Sequence, residues 1–161
     1  MTHVPQYVAD VLALLDALAL GAVHVVGTSL GGLVGLSLAR VAPDRLRSLV
    51  LNDVGPEIDP RGAARIAAYT GRFPTGSRTS MPRRRGRSRR TLARGPPGLL
   101  SRDTAAAMAA RQPRLRRVEV DGVGHAPTLS EPEVVPAVDA FYDDAAAASR
   151  SLSGRGTASG R

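Results

Sequence analysis

A short β-branched run, Val23-His24-Val25-Val26, breaks at Gly27, and Gly27-Thr28-Ser29-Leu30-Gly31 leads into a stretch rich in Gly, Leu and Ala that ends at Pro43. The run predicts a buried strand, and Leu30 to Ala42 predicts a helix packed closely on a sheet. A serine on so sharp a turn is forced into a strained backbone conformation, and its flanking positions must be small because side chains there would strike neighbouring backbone. The turn exposes the serine oxygen at the carboxyl end of the sheet and aims helix N-terminal amides at the same point. The competing reading is a plain glycine turn with an incidental serine. The strand before it and the apolar helix after it favour the functional one.

The rest of the chain repeats the alternation of strand and helix. Val8, Val11, Leu12, Leu15 and Leu18 predict an amphipathic helix over 6–20, stopped at Gly21. Leu49-Val50-Leu51-Asn52 predicts a second buried strand, followed by the turn-like Asp53-Val54-Gly55-Pro56. A short helix is expected over 61–69, and Ser101 is placed to cap another that runs to Gln112. Arg116 to Val120 alternates as a third strand, a loop follows from Gly122 to Pro127, and a last helix over 131–148 is expected to kink at Pro136. This order predicts an α/β fold with a parallel sheet of three to four strands and flanking helices.

Charge separates one segment from the rest. All 22 basic residues are arginine, and nine of them lie between Arg72 and Arg94, a window without one carboxylate. The remaining 13 face 14 Asp and Glu, so the net charge of +8 belongs to that window. Residues 73–98 carry Arg, Gly, Pro, Ser and Thr with almost no periodicity, and disorder is expected there. The organisation expected is therefore a half-domain over 1–72, the Arg-rich segment, a second part of the same domain over 99–148, and a disordered tail over 149–161. Arg78 to Arg94 could attract any polyanion, yet the run has no aromatic to stack on bases, so no specific nucleic-acid partner is expected. Without cysteine, disulfides, thiolate metal sites and a Cys nucleophile are all excluded. No apolar run is long enough to span a membrane and no basic-then-apolar leader opens the chain, so a cytoplasmic location is expected.

A serine nucleophile needs a base to take its proton. His125 follows the third predicted strand directly, in a Gly-rich loop; its alternative is an ordinary surface histidine. His24 lies inside a strand, where packing or capping is expected, and His3 is terminal.

With these residues in place the chain resembles the α/β-hydrolase superfamily. The likeness rests on Val25-Val26-Gly27-Thr28-Ser29-Leu30-Gly31-Gly32, on Leu49-Val50-Leu51-Asn52-Asp53-Val54-Gly55-Pro56 and on Gly122-Val123-Gly124-His125-Ala126-Pro127. The resemblance implies Ser29 as nucleophile, His125 as general base and then acid, and the Leu30 amide as an oxyanion donor. It implies hydrolysis of an ester, lactone or similar small substrate through an acyl-enzyme, with no cofactor and no metal.

The resemblance also implies departures. The matched helix before the elbow precedes the fifth of eight strands in the family, so the chain is expected to represent the second half of the fold and to leave an exposed apolar edge at Val23 to Val26. A loop that supplies a second oxyanion amide belongs to the other half. The Arg-rich segment stands where a helical cap is usual. Gly98 stands where related chains carry the triad aspartate, so Gly98→Asp is the substitution expected to restore it. Two substitutes are open: Asp53 at the end of the second strand, and Asp103, expected inside a helix. The reading favoured for Asp53 is a turn residue bonding its own backbone. A non-enzymatic fragment, or polyanion binding through Arg78 to Arg94, is the alternative function.

Overall fold

A computed structural model of the chain describes residues 3–70 and 98–153. The expectations for the Arg-rich window, including its polyanion binding, lie outside the described residues. Helix α1 (Val4–Ala17) leads to strand β1 (Val23–Thr28), helix α2 (Leu30–Val41), a single 3-10 turn (Pro43–Arg45) and strand β2 (Leu46–Asn52). Helices α3 (Pro60–Thr70), α4 (Arg102–Arg111) and α5 (Val135–Ser153) follow.

β1 and β2 pair in parallel, with Val25 opposite Leu49 and Thr28 opposite Asn52. A parallel pair needs a crossover, and α2 supplies it by lying across the sheet. That approach depends on small residues. A Cβ on Gly32 would come within 2.2 Å of the Val54 side chain, and Gly32 is buried along with Gly35 and Leu38. α1 packs on α2, and Val8 and Leu15 of α1 are buried. Arg45 then ties the end of α1 to the start of β2, donating to Asp16 at 2.7 Å and to the Leu20 and Gly21 carbonyls.

The core is completed by Val54, Leu99, Ala105 and Val134. Leu38 is 1% exposed at its centre. Leu38→Ala is expected to cost about 2–5 kcal/mol, because lost burial and a residual cavity add. Denaturant unfolding checks this; a change below about 1 kcal/mol would mean that α2 does not rest on the sheet as described.

Three expectations differ from the structure. The sheet has two strands among the described residues, not three to four. Residues 115–120 make no ladder with β2; an open cleft of about 1170 Å³ lies between, lined by Leu49 to Asn52 on one side and Leu115 to Val120 on the other. Alternation yields a strand only where a neighbour offers backbone partners. Here Val118 is instead 42% exposed. Second, Pro136 is the second residue of α5 and produces no kink, since the first-turn N–H groups of a helix have no intrahelical acceptor anyway. Third, α5 continues to Ser153, into the stretch expected to be tail. Ser101 does cap α4, its Oγ accepting from the Thr104 amide at 3.0 Å.

Val26 is 49% exposed on β1, in line with the open apolar edge expected there. Among the described residues no helix is long and apolar enough to cross a membrane.

Candidate active site

The parallel register decides what meets at the carboxyl edge of the sheet. Thr28 and Asn52 are the last paired residues, so Ser29 and Asp53 leave the two strands side by side. Both adopt a left-handed backbone, with φ of 54° at Ser29 and 49° at Asp53. Non-glycine residues held this way carry on the order of 1–3 kcal/mol of strain each, and such strain concentrates at functional sites.

The turn at Ser29 is built as its sequence predicts, with one change. A Cβ on Gly27 would lie 2.6 Å from the Gly31 carbonyl and from Gly32 backbone, so Gly27 cannot be replaced without moving the turn. Gly31 meets nothing within 4 Å and faces an outer groove that Tyr7 and Leu30 also line. The steric demand falls on Gly27 and Gly32, not on both motif glycines. Ser29 N–H donates to the Asn52 carbonyl at 3.4 Å, and the Ser29 carbonyl accepts from the Gly32 and Leu33 amides of α2. Leu30 is the first residue of α2, where a helix presents free N–H groups and the positive end of its dipole.

Asp53 does not bond its own backbone. Its carboxylate accepts from the amides of Leu99 and Leu100, both at 3.1 Å, and from His125 Nδ1 at 2.8 Å. Both side chains of the pair are mostly covered, at 12% exposure for His125 and 13% for Asp53. Gly98 explains how the carboxylate fits: a Cβ there would lie 2.2 Å from Asp53 Oδ1 and 2.4 Å from Oδ2. The space that a side chain at 98 would need is filled by the carboxylate of Asp53. Gly98→Asp would therefore expel this acid rather than restore one. Asp103 lies in α4 and among the described residues makes no hydrogen bond to His125.

The segment carrying Leu99 and Leu100 is itself anchored. Asp59 N–H donates to the Leu99 carbonyl at 2.8 Å. The Asp59 carboxylate pairs with the Arg61 guanidinium at 2.7 Å, and that hydrogen bond, with a second from the Arg61 amide, holds its pKa down at about 2. Asp59 thus stays charged at any pH near neutrality.

His125 Nδ1 is engaged by Asp53, which leaves Nε2 to serve as the basic nitrogen. Among the described residues no hydrogen bond joins Ser29 Oγ to the ring; the two are linked through Asn52, which bonds both the turn and the histidine loop. His24 takes no part in this. It pairs with Ser48 at 2.7 Å and sits edge-on to Tyr142.

Sequence reasoning missed Asn52 and the Leu99 and Leu100 amides. The signal for Asn52 was present, since a polar residue ending an apolar strand needs a partner when buried. The amides carry no sequence signal.

Comparison with known proteins bears on the family and the fold. The alpha/beta hydrolase fold family matches residues 2–91. A rhodomycin D methylesterase from Streptomyces sp. (strain C5) is 34% identical over 140 residues, covering 80% of this chain and 47% of that protein. A 3-hydroxybutyrate-oligomer hydrolase from Cupriavidus necator is 47% identical over 75 residues, 45% of this chain and 26% of that one. An alpha/beta hydrolase of known structure from Novosphingobium aromaticivorans superimposes with a TM-score of 0.66 at 26% identity, covering 87% of this chain and 72% of the other. The chain belongs to the α/β-hydrolase family. It spans about half or less of the length of these curated relatives.

Proposed function

We propose that the chain is a serine hydrolase acting on an ester, lactone or similar small substrate through an acyl-enzyme. The Asp53–His125 hydrogen bond of 2.8 Å, set at the strand end beside Ser29, is the observation that carries this reading. In the reactive complex Ser29 Oγ attacks the substrate carbonyl carbon while His125 Nε2 takes its proton. Asp53 holds the ring in the tautomer with its proton on Nδ1 and stabilises the imidazolium that forms. The Leu30 N–H donates to the developing oxyanion. Collapse of the tetrahedral intermediate breaks the C–O bond, and the leaving alcohol takes the proton from Nε2. Water then attacks the acyl-Ser29 ester with His125 as base, releasing the acid and restoring the hydroxyl. These steps use side chains and a backbone amide, and call for no cofactor.

One of the relatives is named as a methylesterase, which supports an oxygen ester as the scissile bond. Hydrolysis of short-chain p-nitrophenyl esters tests the proposal. Turnover above the buffer rate that disappears in Ser29→Ala is expected. Equal turnover by wild type and a folded Ser29→Ala protein would refute it.

A further inference from the structure

Asn52 is one of two buried polar residues among the described ones, at 5% exposure, and its side chain has no role in the chemistry just set out. Its Nδ2 donates twice, to Thr28 Oγ1 at 3.0 Å and to the Pro127 carbonyl at 2.8 Å. Its own carbonyl accepts from Ser29 N–H. Thr28 precedes Ser29, Pro127 lies two residues after His125, and Asp53 follows Asn52 directly. One residue therefore touches all three segments that carry the site.

The histidine loop needs such a tie. Residues 121–130 belong to no helix or ladder, and the bonds from His125 and Pro127 fasten them to the end of β2. The first of these fixes the ring to Asp53. A single bond leaves the loop free to turn about it, and with it the ring relative to Ser29, which follows β1. The Asn52 amide supplies that second constraint, because its two N–H groups reach the serine turn and the histidine loop at once.

We infer that Asn52 is a positioning residue that sets the register between the Ser29 turn and the His125 loop by bridging Thr28 and Pro127. The inference rests on the serine-hydrolase reading. Its chemistry is specific to a side-chain amide. The Pro127 carbonyl can only accept, so Asn52→Asp at neutral pH sets an acceptor against it, and Asn52→Ala removes both bonds.

The test compares kcat and KM for a p-nitrophenyl ester in wild type, Asn52→Ala, Thr28→Val, Thr28→Ser and the double variant Asn52→Ala/Thr28→Val. Thr28 is exposed and Thr28→Val keeps its shape, so this variant is expected to fold even if Asn52→Ala does not. Loss of one modest hydrogen bond translates to about threefold to tenfold in rate. Thr28→Val is therefore expected to lower kcat about threefold to tenfold with KM unchanged, and Thr28→Ser, which keeps the hydroxyl, to restore it. Asn52→Ala should lose more, and adding Thr28→Val to it should cost nothing further. A Thr28→Val enzyme with wild-type kcat, or additive losses in the double variant, would overturn the positioning role while leaving the hydrolase reading intact. A wild-type protein without Ser29-dependent turnover would overturn both.

Discussion

Asp53→Asn is expected to lower ester turnover by about 10⁴-fold with little effect on KM. The carboxylate accepts three hydrogen bonds, from Leu99 N, Leu100 N and His125 Nδ1. A carboxamide keeps the shape but offers one acceptor atom, and its NH₂ end must then face a donor or a histidine in the wrong tautomer. With the ring proton moved to Nε2, the nitrogen that should take the Ser29 proton is already occupied. Loss of the orienting acid in a Ser-His-Asp arrangement typically costs about 10⁴ in rate. Steady-state kinetics on a variant with wild-type circular dichroism measures this. If Asp53 were only a turn residue, Asn, which adopts left-handed backbone readily, would leave turnover within a few-fold of wild type.

Gly98→Ala is expected to produce nearly the same defect from a residue that takes no part in the reaction. The new methyl group would need the position of the Asp53 carboxylate, 2.2–2.4 Å from both oxygens. Since real contacts to Cβ are longer, the carboxylate must swing away, and His125 loses its acceptor. Turnover should fall by about 10²- to 10⁴-fold, bounded by complete loss of the acid. Thermal stability should change far less, because the clash is with the tip of a side chain. Gly98→Asp should be no better, as it also sets two carboxylates in one space. Full activity in Gly98→Ala would show that Asp53 does not occupy this position.

Some of this was legible in the sequence because its signals are local. The β-branched run, the glycines and the apolar helix around Ser29 lie within twenty residues, so their periodicities define the turn without knowledge of the rest. His125 was legible from its Gly-rich loop and the family likeness, although the strand expected before it does not pair. Asp53 stood as one of two candidates, with a turn role open. What distinguishes it is the pairing of Thr28 with Asn52 and the arrival of the Leu99 and Leu100 amides from 46 and 47 residues away. No local pattern encodes either. Residues 116–120 failed for the complementary reason: alternation describes a capacity to pair, and pairing needs a neighbour in reach. The helix bearing Pro136 begins at Val135, four residues later than expected, which puts the proline in the first turn, where it is harmless.

Ser29 is proposed as a nucleophile activated by the Asp53–His125 pair. Labelling of the intact chain with a fluorophosphonate, mapped by peptide mass spectrometry, tests it most directly, because the reagent needs an activated serine but no particular substrate pocket. A single adduct on Ser29 is predicted, absent in Ser29→Ala and formed far more slowly in His125→Ala and Asp53→Asn. An adduct on another residue, or labelling of a folded protein that is unchanged by Ser29→Ala, would contradict the account.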